Sequence, residues 1–171
     1  MDMQISPRRI SNLLIFLVCA LLLGYAYYLQ FYGGLDPCPL CIFQRLAFIA
    51  LGLVALLAAL HHPGRLGGRL YGVLIGLVAL GGAGIAARHV WLQQLPPEQV
   101  PECGPGLDYM LDVFPLTETI RRVFTGSGEC AEVDWTFLGL AMPAWSLIWL
   151  LLLGVTGVVV NWHRRSTAVI R

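Results

Sequence analysis

The chain has 171 residues, of which 57% are hydrophobic and 12% charged, with a mean hydropathy of +0.72. Those values exclude an ordinary water-soluble domain and point to an integral membrane protein. All eleven strongly basic residues are arginines, set singly or in pairs for a formal net charge of +1, so no basic patch with interleaved aromatics suggests a nucleic-acid partner.

In chain order, Arg8 and Arg9 precede an apolar run over about residues 12–32, too long for a signal peptide and long enough to cross about 30 Å of hydrocarbon. It ends in Tyr25, Tyr27, Tyr28 and Tyr32, an aromatic belt of the kind found at membrane interfaces. Gly33-Gly34-Leu35-Asp36-Pro37 is turn chemistry, so the loop over residues 33–41, which ends in Cys38-Pro39-Leu40-Cys41, is short. A second apolar run covers about 42–60. After the basic turn His61 to Arg69, a third covers about 70–87, with Gly68, Gly72 and Gly76 spaced for close helix packing in lipid. That reading is preferred to a phosphate loop at Gly81-Gly82-Ala83-Gly84.

From 88 to 142 the composition changes, and eight of the ten acidic residues fall here. This stretch predicts a large aqueous loop containing Cys103 and Cys130. Between them Leu107, Met110, Leu111 and Phe114, then Leu116, Ile120, Val123 and Phe124, recur at helical spacing on either side of Pro115. The expectation is a broken amphipathic helix on the membrane surface. A last apolar run covers about 143–160. The fold class is therefore all-α, a single membrane domain forming a four-transmembrane-helix bundle.

Arg8, Arg9, Arg65, Arg69, Arg164 and Arg165 fall on one side of a four-span chain, which places both termini in the cytoplasm. Cys38, Cys41, Cys103 and Cys130 then face an external compartment where thiols stay oxidised, and two disulfides are expected. Three pairings exist; proximity favours Cys38 with Cys41, leaving Cys103 with Cys130, and the others stay open. A four-thiolate zinc site is disfavoured by the long segment between Cys103 and Cys130, and covalent haem by Ile42 following Cys41. No metal, haem or flavin is expected. A disulfide that merely staples the large loop is a serious rival for Cys103 and Cys130, but a poor one for Cys38 and Cys41, whose loop has little entropy to lose. Cys19, inside the first run, reads as a buried spectator.

Arg45 follows Cys41 by one helical turn, and a cation with a helix N-terminus favours the reactive thiolate. The competing reading is an arginine snorkelling to headgroups. His89, at the external end of the third run, is a weaker candidate, available to a headgroup or a cofactor carbonyl.

Taken together, Cys38-Pro39-Leu40-Cys41 with Gln44-Arg45, Arg88-His89, Glu102-Cys103-Gly104-Pro105, Gly128-Glu129-Cys130 and Trp135 through Phe137-Leu138-Gly139-Leu140 to Met142-Pro143 resemble the DsbB family of bacterial disulfide-bond-formation proteins. The resemblance covers nearly the whole chain. It implies a four-helix protein of the bacterial inner membrane that takes electrons from DsbA, a thioredoxin-fold periplasmic oxidase, and gives them to ubiquinone or menaquinone; that route is an established property of the family rather than something these residues reveal. It further implies that the partner attacks Cys103, that the released Cys130 attacks Cys38, and that Cys41 becomes a thiolate against the quinone, with Arg45 stabilising the charge and His89 assisting. Competing readings are a reductase resembling vitamin K epoxide reductase, whose cysteine pair is expected near the last bundle helix, a paralogue with a dedicated partner, and a non-enzymatic scaffold with a stapled loop.

Overall fold

The computed structural model describes residues 7–61, 63–99, 112–115, 117–118, 130–131, 133 and 135–162. Cys103 and most of the expected amphipathic segment, residues 107–111, 116 and 119–124, lie outside the described residues. Four helices dominate: α1 Pro7–Gly33, α2 Pro39–His61, α3 Arg65–Leu92 and α4 Met142–Trp162, all long and apolar enough to cross a membrane. The protein is an integral membrane four-helix bundle. α1 packs on α2, α2 on α3 and α3 most extensively on α4, while α1 and α4 meet more lightly to close the ring.

Each helix runs further than its apolar stretch. α1 includes Arg8 and Arg9, and α3 continues through His89 to Leu92, because backbone hydrogen bonds are better satisfied within a helix than at a lipid boundary. Only 17–33% of each span's most apolar window is fully buried inside the bundle; much of the rest, including Leu17, Leu21, Leu77, Leu80, Leu152 and Val155, faces outward. In water that surface would aggregate, whereas in a bilayer it meets its solvent.

Without a hydrophobic driving force between helices, packing depends on close approach. A Cβ at Gly154 would stand 2.5 Å from that of Ala79, and one at Gly157 2.5 Å from Ile75 Cγ2. Gly72 and Gly76 of the expected small-residue stripe face Asn161 and Val158 of α4 across the same seam. The core comprises Ile15, Cys19, Phe48, Leu51, Ile75 and Leu150 with the alanines between them. Cys19 is 1% exposed and packs against Gly52, which accounts for a thiol there as filler.

Where α1 and α4 meet at the chain termini, Asn12 and Asn161 exchange two side-chain hydrogen bonds, 3.2 and 3.0 Å long, and Asn161 also donates to Gly157 O at 2.8 Å. At the opposite end α4 is preceded by a hairpin, β1 Thr136–Phe137 and β2 Leu140–Ala141, antiparallel with Phe137 opposite Leu140. Its two-residue turn puts Leu138 at φ 52° and Gly139 at φ 78°. Trp145 donates to Phe137 O at 3.1 Å, and Trp135 stacks on Phe137 and meets Tyr25 of α1 edge-on, so the hairpin is pinned between α1 and α4.

Candidate functional site

The site forms at the end of the bundle away from the termini, around the first turn of α2. Cys38 is the N-cap: its carbonyl accepts the first helical bond, from Ile42 N at 3.2 Å, and Pro39 occupies the first helical position, where a missing N–H costs nothing. The Cys38 sulfur acts as the capping group, accepting from Cys41 N–H at 3.3 Å. The same sulfur donates to Cys41 Sγ at 3.1 Å. Helix start and cysteine spacing thus give one geometry, two sulfurs in contact within the first turn. Starting the helix at Pro39 puts both cysteines in the positive field of its N-terminus.

Cys130 comes from the large loop, is 1% exposed, and packs with Leu40 of α2 and Leu92 of α3. It hydrogen-bonds Cys38. The Cys38 and Cys130 sulfurs and a ring nitrogen of His89 all lie within 4.8 Å of one another. Cys38 therefore touches a sulfur from its own loop and a sulfur from the other. Its thiol is pushed up to about 12: the bond with Cys130 works in the opposite direction, but the bond with Cys41 and burial outweigh it.

His89 is buried, 2% exposed, rather than turned to headgroups. Nε2 is 3.7 Å from Cys38 Sγ and Nδ1 is 3.0 Å from Gln44 Nε2. An amide NH2 can only donate, so with this orientation Nδ1 accepts and Nε2–H points at the sulfur. Gln44, itself 4% exposed, holds that ring from the next helix. The sequence reading missed Gln44 in this role; its position one residue before Arg45, on a helix that must otherwise be apolar, was the available signal.

Arg45 is half-buried and its guanidinium turns towards α1. Nη1 donates to Gln30 Oε1, Nη2 donates to Ala26 O at 3.3 Å, and the guanidinium carbon lies 4.8 Å from the Tyr27 ring centre. Three contacts to the end of α1 hold the charge in place beneath the cysteines.

Two cavities meet at Cys41 and Arg45. One, of about 650 Å³, is walled by the short loop from Gly34 to Cys38 together with His89 and Gln93. The other, of about 160 Å³, is apolar and aromatic, walled by Leu22, Phe48, Trp135, Trp145 and Trp149. Cys41, Arg45, Ala26, Trp135 and Met142 line both. A polar vestibule and an apolar slot thus share one sulfur and one cation. The structure brings Cys38, Cys41, Cys130 and His89 together with Arg45 close by; Cys103 lies outside the described residues.

Residues 8–160 match the family model described as disulfide bond formation protein DsbB. The chain is similar to the disulfide bond formation protein B of Methylococcus capsulatus, 56% identical over 94% of this chain and 98% of that one. It is also similar to the proteins of the same name from Nitrosococcus oceani, 59% identical over 82% and 83%, and Hahella chejuensis, 49% identical over 93% and 98%. A match over nearly the whole bundle, with the paired cysteines at the start of α2 inside it, establishes that the chain belongs to the DsbB family of disulfide-bond-formation proteins.

Proposed function

We propose that the protein is a thiol:quinone oxidoreductase that reoxidises a DsbA-type dithiol oxidase, a thioredoxin-fold protein of the periplasm, and passes the electrons to ubiquinone or menaquinone. Its family relatives are named for disulfide bond formation, and disulfide oxidoreductase chemistry is the role they support. The bacterial relatives support a place in the bacterial inner membrane, and the arginine distribution supports an orientation with both termini cytoplasmic and the cysteine end periplasmic.

The observation that carries the reading is the position of Cys38 Sγ, 3.1 Å from Cys41 Sγ and hydrogen-bonded to Cys130. A staple across the large loop has no need to deliver a buried sulfur to the other cysteine pair. The relay needs that contact.

The resting enzyme carries disulfides Cys38–Cys41 and Cys103–Cys130. A thiolate of the reduced partner attacks Cys103, forming a mixed disulfide and releasing Cys130 as thiolate; the partner's second thiol resolves that bond and leaves oxidised. Cys130 then attacks Cys38, the Cys38–Cys41 bond breaks, and its electron pair departs on Cys41. Geometry favours expelling Cys41 rather than Cys38, because the departing charge then lies in the first turn of α2 on the wall shared with Arg45, and the raised Cys38 thiol, the poorer leaving group, points the same way. The resulting charge on Cys41 sits at the helix N-terminus, on the wall it shares with Arg45. His89, held by Gln44, faces the sulfur under attack and keeps it oriented.

The residues fit a quinone. A flat apolar ring with carbonyl acceptors matches an aromatic slot whose lining includes a guanidinium and an amide, Arg45 and Gln44. Bound there, the quinone supplies the two-electron, two-proton sink that an oxidant as strong as DsbA requires, its potential being about −120 mV against below about −300 mV for ordinary structural disulfides. Arg45 and the tryptophan walls would bind and orient it, and the apolar lining would exclude water.

The test is quinone reduction by the purified protein with reduced DsbA as donor. Stoichiometric loss of DsbA thiols and quinone absorbance is expected. Turnover with DsbA replaced by a small dithiol, but none with DsbA, would instead favour a dedicated partner.

A further inference from the structure

Two sulfurs and an imidazole nitrogen converging within 4.8 Å form a donor set as well as a relay. Zinc binds cysteine sulfur at about 2.3 Å and histidine nitrogen at about 2.0 Å, so donors roughly 3.5–4 Å apart surround one ion. Small side-chain movements bring the three atoms to that spacing. We propose that the reduced enzyme binds one thiophilic d10 cation, Zn2+ or Cd2+, through Cys38, Cys130 and His89, and that this ion locks the relay in its reduced state.

Charge, orientation and enclosure point the same way. Two thiolates and a neutral imidazole make the complex of a divalent cation electrically neutral, which is the form an apolar enclosure tolerates. The enclosure covers two of the three ligands: Cys130 and His89 are 1% and 2% exposed, with Leu40 and Leu92 packed around the Cys130 sulfur, while half-buried Cys38 borders the vestibule. A metal-binding histidine needs its other nitrogen held by a partner, and Gln44 already holds Nδ1 at 3.0 Å while Nε2 faces Cys38. Ligation needs the Nε2 lone pair, and Gln44 permits it by turning its amide so that the oxygen accepts from Nδ1–H. The two thiol protons leave to solvent as the two sulfur–metal bonds form, and no electron moves.

The site takes one sulfur from each loop and a nitrogen from α3, so no linear spacing in the sequence displays it. It is also gated by redox state, since a Cys38–Cys41 or Cys103–Cys130 disulfide removes a ligand. Inhibition rests on the relay reading given above, whereas binding does not, and the two fail separately.

Zinc X-ray absorption on the fully reduced, full-length protein in detergent, with one equivalent of Zn2+, reads the ligands without any turnover. Two sulfurs and one imidazole are expected, and a shell of sulfur alone would overturn the proposal. Affinity measured against a chromophoric chelator should fall about ten- to a hundredfold in Gln44→Leu, a positioning change, and by at least about tenfold in Cys130→Ser and His89→Gln. Cys41→Ser and Cys103→Ser should retain tight binding. Loss in either of these would assign the ion to a dithiol within one loop and overturn the site. Oxidised protein should bind no zinc, and equal affinity in both redox states would do the same.

Discussion

At the end of the bundle that carries the termini, two buried amides, Asn12 and Asn161, answer each other's donors and acceptors and border no cavity described above. At the other end a buried amide, Gln44, spends its bond on His89, which faces a sulfur and lines a cavity of about 650 Å³. Both ends satisfy their polar groups; among the described residues no buried side-chain nitrogen or oxygen lacks a partner. The difference is reciprocity. An amide pair closed on itself can only hold two helices together, whereas an amide that ends a chain of contacts on a reactive atom sets that atom's position.

The comparison breaks most visibly at the sulfurs. Cys38→Ser, Cys41→Ser, Cys103→Ser and Cys130→Ser should each abolish DsbA-driven quinone reduction, while Cys19→Ser, buried in the core, should leave it intact. Non-reducing gels separate the roles: in Cys130→Ser the reduced Cys103 has no internal partner and should trap an oxidised or activated partner as a mixed disulfide, and Cys103→Ser should lose that adduct. Activity lost only in the Cys38 and Cys41 variants would make the large loop a staple.

Next in size is Arg45. Replacing it with methionine removes a charge-assisted contact worth about 1.5–3 kcal/mol, so the KM for quinone should rise about ten- to a hundredfold, with exchange against the partner unchanged. His89→Ala should have a smaller effect and act on the exchange at Cys38, lowering kcat more than it raises the KM for quinone. Quinone kinetics matching the parent's in Arg45→Met would leave the guanidinium only a structural tie between α1 and α2, through Gln30 and Ala26.

At the terminal end the effect should be on stability alone. Asn12→Ala leaves Asn161 Oδ1 without its donor, the NH2 keeping its bond to Gly157 O, and should cost about 1–2 kcal/mol, read as a lower Tm in detergent with unchanged turnover at permissive temperature. Replacing both asparagines with leucine should cost less than the single change, because neither amide is then left unpaired.

What could be read from sequence divides along similar lines. The four helices were legible because a run of about twenty apolar residues has one structural solution in lipid. Cys38, Cys41 and Arg45 were legible because their relation is local, within two helical turns. His89 pairing with Gln44 and Cys38, and Asn12 pairing with Asn161, were not, since they join positions 45, 51 and 149 residues apart. The hairpin before α4 was hidden by its own turn: a two-residue turn of this kind calls for Asn-Gly, and Leu138 at φ 52° carries no such signal. Burial of Cys130 beside Cys38 was equally invisible, because the acidic, proline-rich stretch that contains it reads as solvent-exposed.

The smallest expected effect concerns the proton on Cys38. With the thiol pushed up to about 12 from an ordinary value of 9.0, reduced Cys38 remains un-ionised through neutral pH. Its folded-state value lies above its unfolded one, so whatever stability this contributes is fully present below pH 9.0 and is lost as pH rises towards about 12. Unfolding of the reduced protein should therefore become easier across that window, and less so in Cys38→Ala. Alkylation of reduced Cys38 by iodoacetamide, followed by mass spectrometry, should stay slower than that of a free thiol at pH 9.0. Labelling as fast as a free thiol would mean that Cys38 ionises readily, and the leaving-group argument for expelling Cys41 rather than Cys38 would fail with it.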